Sequence, residues 1–197
     1  MPEARGGRPR DVQLDDVILA ATRELLAAGS YAELSMEGVA TRAKVGKKTV
    51  YRRWSSKAPL VADAVLDAYG RGSSFEVPNT GDLRADLRCW LVEHAEFIAD
   101  PASAALVRAL IAAAAASTLD SQALDQQLSV PQHAGLLARL RLAADGGQLR
   151  ADADIDAVAN ALIGTLLLRL LSRTRATRPL TTEFDGLLDA ILGGILR

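Results

Sequence analysis

The stretch VGKKTVYRRW, residues 45–54, decides how the rest of the chain is read. Ten residues hold four positive charges, a tyrosine and a tryptophan, in a chain of 197 residues whose formal net charge is −1. Read as a short helix, the stretch turns Val45 and Val50 towards a small core. Its amino-terminal end then carries Lys47, Lys48 and Thr49, where the helix dipole favours an anion. Tyr51 offers a hydroxyl to a phosphate and a ring to the sugar backbone, and Arg52 and Arg53 add positive charge on the solvent side. Trp54, a lone aromatic at the helix end, is expected to plug the core. Arg53 is expected to be solvated or paired with an acid such as Asp63.

Working outward, the upstream residues 12–28 place Leu14, Val17, Ile18, Ala21 and Leu25 on one helical face, and Gly29 stops that helix. Ser35, with Glu37 in the first turn and Gly38 three residues on, predicts the N-cap of a short second helix to about residue 42. Residues 43–46 form a tight turn, and a third helix covers 47–54. After Ser55 and Ser56 a fourth runs to about 69, with Lys57 near its start. Two short helices joined by a four-residue turn and packed on a longer one project the second helix into a DNA major groove. Residues 1–11 read as a flexible basic arm, and 12–70 as the helix-turn-helix domain. Charge supports a polyanion-binding front: residues 1–60 carry 11 Lys+Arg against 7 Asp+Glu, and residues 61–197 carry 12 against 17. The four lysines, Lys44, Lys47, Lys48 and Lys57, all fall within fourteen residues. The alternative is a helical interaction protein whose basic patch takes an acidic protein partner.

The loop 70–81 separates a second domain, 80–197. Thr80 is the expected cap of a helix over 82–99, and Asp100 followed by Pro101 opens the next, which runs through 116. Further helices are predicted over 118–128, 131–145, 154–172 and 182–196, and strand-type alternation is absent, so the chain is all-α. The last two helices have wide apolar stripes. Leu162, Ile163, Leu166 and Leu170 in one, with Phe184, Leu188 and Ile191 in the other, are the expected homodimer interface. Trp90, His94, Phe97, Arg108 and His133, polar or aromatic on otherwise apolar helices, are the candidate contacts of a small apolar or aromatic ligand. Two separated histidines and a single cysteine, Cys89, give no metal spacing and no nucleophile pair, so neither an enzyme nor a metal or other cofactor is expected. Asp152, Asp154 and Asp156 lack the glycine and closing glutamate of a calcium loop. The lone cysteine and the absence of a secretory leader pattern imply a reducing, cytoplasmic setting. The apolar run 157–171 falls short of a membrane span and contains Asn160 and Arg169.

Residues 17–64 resemble the DNA-binding domain of TetR-family transcriptional regulators. The resemblance rests on the apolar first helix ending at Gly29, Ser35 opening the second, Val39-Ala40, the 43–46 turn, Thr49-Val50-Tyr51, Trp54, and Ser56-Lys57 opening the fourth. It implies that Ser35, Thr41, Arg42, Thr49, Tyr51 and Lys57 hold phosphates and that Lys47 and Lys48 lie where bases are read. It also implies a dimer on a (pseudo)palindromic double-stranded operator, released by a small-molecule inducer held in the helical second domain. Three positions depart from the family pattern. Lys44 stands where glycine is frequent, at a cost of about 1 kcal/mol if that residue is left-handed. Gly46 replaces a frequent serine cap, and Lys48 a small residue.

Overall fold

The computed structural model describes residues 9–70, 77–116, 118, 122, 130–172 and 180–195. Its elements are helices: α1 (Pro9–Ala28), α2 (Met36–Arg42), α3 (Lys47–Arg53), α4 (Lys57–Tyr69), α5 (Leu83–Ala99), α6 (Pro101–Ala116), α7 (Val130–Asp145), α8 (Ile155–Ser172), α9 (Leu180–Glu183) and α10 (Asp185–Ile195). The expected helix at 118–128 lies outside the described residues apart from helical positions at 118 and 122, and so does the arm before residue 9. The first helix begins at Pro9, taking in residues assigned to the arm, because proline suits a first helical turn. The last predicted helix is broken at Phe184 into α9 and α10.

Two compact units are present, and they do not follow chain order. The first gathers α1–α4 together with α6, which packs on α1 and α4, and the second gathers α5 with α7–α10. A division into 12–70 and 80–197 is continuous in sequence, whereas here residues 101–116 complete the amino-terminal core. That core buries Ile18, Leu26, Val39, Val50, Trp54, Leu60 and Val61 together with Leu106, Ala109 and Ala113. Thr22 is fully buried but satisfied, its hydroxyl donating to the Ile18 carbonyl at 2.9 Å.

In the second unit α5 presents Leu83, Asp86, Leu87, Trp90, Leu91 and His94 on one buried face at helical spacing. Two of those positions are polar. The Asp86 carboxylate takes the Arg139 guanidinium from α7, Nε to Oδ2 at 2.9 Å, and the Thr80 hydroxyl at 2.7 Å. Arg139 also donates to the Pro78 carbonyl at 3.2 Å, so one buried pair fastens the segment before α5 to two helices. The cap of α5 is Asp82, which accepts from the Ala85 N–H at 3.0 Å, rather than Thr80, whose hydroxyl is turned to Asp86. Arg150 accounts for the carboxyl end of α10: its N–H donates to the Ile195 carbonyl at 2.8 Å and its guanidinium to the Gly194 carbonyl. By length and composition α8, 18 residues with mean hydropathy 1.6, is apolar enough to cross a membrane, which the shorter run read in the sequence did not suggest. Its Leu162 and Leu166 are nevertheless buried in the core of this unit, and Leu170 is buried as well.

Candidate nucleic-acid interface

The turn between α2 and α3 is built by a helix stop. The Val45 N–H donates to the Ala40 carbonyl at 2.9 Å and the Lys44 N–H to the Thr41 carbonyl at 3.2 Å, the paired bonds of a Schellman ending. Such an ending needs a left-handed residue after the cap, and Lys44 supplies it with φ 56°. The chain then enters α3 through Gly46, which makes no side-chain cap; the Thr49 N–H donates to its carbonyl at 2.8 Å. Val50 is buried and fixes the roll of α3 on the core, leaving Lys47, Lys48, Tyr51 and Arg52 exposed. Behind α3, Trp54 is a buried plug whose indole N–H donates to Asp63 at 2.7 Å. Asp63 is engaged by Trp54, and Arg53 pairs with Asp15 of α1.

The expected DNA contacts divide by what holds them. Lys48 and Arg52 lie four residues apart on one face of α3, and no ion pair holds either of them, or Lys44, among the described residues. Lys47 is paired with Glu37 of α2, and the Tyr51 hydroxyl donates to the same carboxylate at 3.5 Å. The Lys47 ion pair holds the Glu37 carboxyl below its ordinary range. Arg42 donates to Glu24 of α1 at 2.6 Å. Thr41 donates its hydroxyl to the Glu37 carbonyl at 2.9 Å, and Ser35 caps α2 by accepting from the Gly38 N–H at 3.0 Å. Thr49 is half-buried. Lys57 is turned inward: its ammonium donates to the Tyr31 and Leu34 carbonyls at 2.9 and 3.4 Å and lies 4.2 Å from the centre of the Tyr31 ring. In this arrangement it brackets the connection between α1 and α2, and a phosphate would have to draw it away from those carbonyls.

The five candidate ligand residues do not form one group. Arg108 is exposed on α6 in the first unit, and the other four belong to the second. Trp90 and His94 are buried one turn apart on α5, with ring centroids 4.1 Å apart and the His94 Nδ1 2.8 Å from the Trp90 carbonyl oxygen. Burial lowers the His94 pKa to about 4, against the opposing effect of that hydrogen bond, so the ring is neutral near pH 7. Phe97 and His133 are half-buried. The Trp90 indole N–H and the His133 Nε2 are buried with no hydrogen-bond partner among the described residues. A shallow open groove along α5, lined by Arg88, Cys89, Val92, Glu93 and neighbours, takes in none of the five.

Of the expected dimer residues, Leu162, Leu166, Leu170, Phe184 and Leu188 are buried within the protomer and Ile163 and Ile191 are half-buried. Core formation inside the unit consumes that stripe. The large apolar side chains that α8 leaves exposed are Leu167, Leu168 and Leu171, the second of them 67% exposed.

Sequence reading missed two partners of this site. Glu37 was legible only as a first-turn acid, and Glu24 not at all, because each meets its cation across a gap of ten or more residues.

Comparison with known proteins bears on the whole chain. Residues 18–64 match the family described as "Bacterial regulatory proteins, tetR family", and residues 77–190 match "Tetracyclin repressor-like, C-terminal domain". An uncharacterized HTH-type transcriptional regulator of Mycobacterium tuberculosis is 31% identical over 93% of this chain and 86% of its own length. The DNA-binding transcriptional repressor TetR of Mycobacteroides abscessus is 44% identical over 36% of each chain. Among solved structures, the TetR family transcription regulator SCO0332 superposes with a TM-score of 0.67 at 31% identity, covering 91% of this chain and 98% of its own. Salmonella enterica GusR shares the fold at a TM-score of 0.75 and 20% identity, over 95% and 100% of the two chains.

Proposed function

The chain belongs to the TetR family, and from that premise we infer that this DNA-binding transcriptional regulator is a cytoplasmic, ligand-responsive repressor acting as a dimer on a (pseudo)palindromic operator. The observation that carries the reading is the α3 surface. Lys48, Tyr51 and Arg52 project from a helix rolled by Val50 and preceded by a turn bearing Lys44, and no acid pairs with the three cations among the described residues. A helix presented this way fits a major groove, with base edges within reach of Lys48 and phosphates within reach of Lys47, Tyr51, Thr49 and Arg52. Lys57 is better read as a bracket of the module than as a direct phosphate contact.

The dimer is assigned to a second copy of the same chain through the exposed stripe of α8, Ala157, Ala161, Gly164, Leu168 and Leu171, which recurs at the i, i+4, i+7 spacing of a helix seam. On α10 the exposed residues Gly186, Ala190 and Gly193 repeat that spacing and leave room for close approach. Two copies related by a two-fold axis also supply the two recognition helices that an operator with paired half-sites requires. We place the inducer in the second unit, where the Trp90 N–H and His133 Nε2, without a partner among the described residues, are available to a polar atom on an otherwise apolar molecule. Its binding acts by changing the separation of the two α3 helices.

The deciding experiment is fluorescence-anisotropy titration of the DNA flanking the gene and of a scrambled duplex, across salt, with the wild type and Tyr51→Ala. Selective, salt-sensitive binding weakened by the substitution supports the reading; equal affinity for both duplexes, or none for either, removes it. Sedimentation of Leu168→Glu should give a monomer at micromolar concentration, and a wild type that is itself monomeric there would sink the dimer.

A further inference from the structure

We propose that Glu37 is an intramolecular stand-in for a DNA phosphate, occupying the Lys47 ammonium and the Tyr51 hydroxyl until the duplex displaces it. The inference rests on the reading that α3 docks on DNA, and it concerns what that docking must first undo.

Glu37 lies in the first turn of α2 and reaches across to α3. Its carboxylate is ion-paired with Lys47 and accepts from the Tyr51 hydroxyl, and the Lys47 ammonium itself sits 5.6 Å from the centre of the Tyr51 ring. An ammonium and a phenol converging on one two-oxygen anion are the donors that a backbone phosphate asks for. The cluster is open to solvent, with the Lys47 and Glu37 side chains 59% and 51% exposed, so a strand of DNA can approach it. An exposed pair of this kind contributes little to the fold and exchanges readily. Thr41 adds a bond to the Glu37 backbone but leaves its carboxylate untouched.

The consequence is a penalty on binding. A phosphate that takes Lys47 and Tyr51 leaves the Glu37 charge unpaired beside a polyanion. While Glu37 keeps them, the Lys47 charge is cancelled and releases no counterion. Either way the α3 surface is less attractive to DNA than its count of lysines and arginines suggests. Phosphates carry no base identity, so the penalty falls alike on operator and on unrelated sequence. Lys44, Lys48 and Arg52, which no acid holds among the described residues, are spared it. A purely structural role for Glu37, favouring the amino terminus of α2 through the helix dipole, predicts something different: lower stability on neutralisation and no change in DNA binding.

The test compares the wild type, E37Q, K47Q and the double variant on the gene-flanking duplex and on a scrambled one, from 50 to 200 mM salt. Glutamine keeps the length of the side chain and its hydrogen-bonding oxygen while removing the charge. E37Q should bind both duplexes several-fold more tightly at 50 mM. With the opposing charge gone, the slope of log affinity against log salt steepens by up to about 0.9, reached where Glu37 would otherwise keep Lys47 from a phosphate, and the gain then shrinks about 3-fold by 200 mM. The ratio between the two duplexes should stay constant, and the gain should fall at least twofold in the K47Q background. Equal affinity and slope for the wild type and E37Q overturn the proposal. So does a gain undiminished without Lys47, which would mean simple repulsion, or a loss on the flanking duplex alone, which would mean that Glu37 orients Lys47 towards a base. Absence of binding by both wild type and E37Q would remove the DNA-docking reading itself and this inference with it.

Discussion

Two ion pairs of similar chemistry do opposite work in this molecule. In the second unit Arg139 and Asp86 are 3% and 1% exposed and fasten the segment before α5 to α7. At the surface of the first unit Lys47 and Glu37 are both more than half exposed and join two short helices. For the buried pair, burial alone would push the Asp86 carboxyl up, but hydrogen bonds from Thr80 and Arg139 outweigh it and hold the pKa below its ordinary value. Removing one partner there leaves a charge with no water to turn to. For the exposed pair, water takes over whichever partner is released, so the charge stays available to a ligand. Burial therefore decides whether a charge serves the fold or an exchange with DNA.

The largest break in that contrast comes from Arg139→Ala, which should cost the second unit roughly 3–5 kcal/mol in denaturant unfolding because Asp86 is left buried and unpaired. Replacing both partners by apolar residues of similar volume should recover most of the loss. An unchanged midpoint for Arg139→Ala would show that water reaches Asp86. Next in size is the effect of acid. His94 has a folded pKa of about 4 against about 6.5 when unfolded, so its contribution is complete above pH 6.5 and is lost as the pH falls towards 4. The loss amounts to about 3 kcal/mol over that window, and a His94→Gln variant should show a flatter profile there. Asp86, whose pKa is also depressed, adds a further loss only as the pH falls below that of an ordinary carboxyl.

Smaller effects sharpen the comparison on the exposed side. The helix endings after α2 and α7 share one hydrogen-bond pattern, but the left-handed residue is Gly147 after α7 and Lys44 after α2. Lys44→Gly should stabilise the first unit by about 1 kcal/mol while making the salt dependence of DNA binding shallower by about 0.9 in log–log slope. A variant no more stable than the wild type would mean that Lys44 gains enough from its surroundings to offset its backbone. Least of all, Glu37→Gln should leave the melting temperature where it is, in contrast to its effect on DNA.

Much of the first unit was legible because its determinants are local. Ser35 caps α2, Gly29 follows the end of α1, and Val50 and Trp54 face inward, each within a turn or two of the residues that impose it. The α8 seam was misread for an equally physical reason. Leu162, Leu166, Leu167, Leu168, Leu170 and Leu171 are chemically alike and nearly encircle one helix, so periodicity alone gives no preferred face. Only tertiary packing, α8 lying against α5 and α7, selects Leu162 and Leu166 for the core, buries Leu170 and leaves Leu167, Leu168 and Leu171 outside. An aspartate on the apolar face of α5 was the available hint of a buried pair, but its partner lies 53 residues away.

By itself the amino-acid sequence determined the all-helical class, the turn between two short helices and the cationic face of the second, because capping, propensity and charge act over a few residues. Tertiary structure alone decided that residues 101–116 complete the amino-terminal core, that Lys57 turns inward, and which acid meets each cation. Those outcomes depend on contacts between segments far apart in the chain, and a side chain meets its partner there only once both helices are in place.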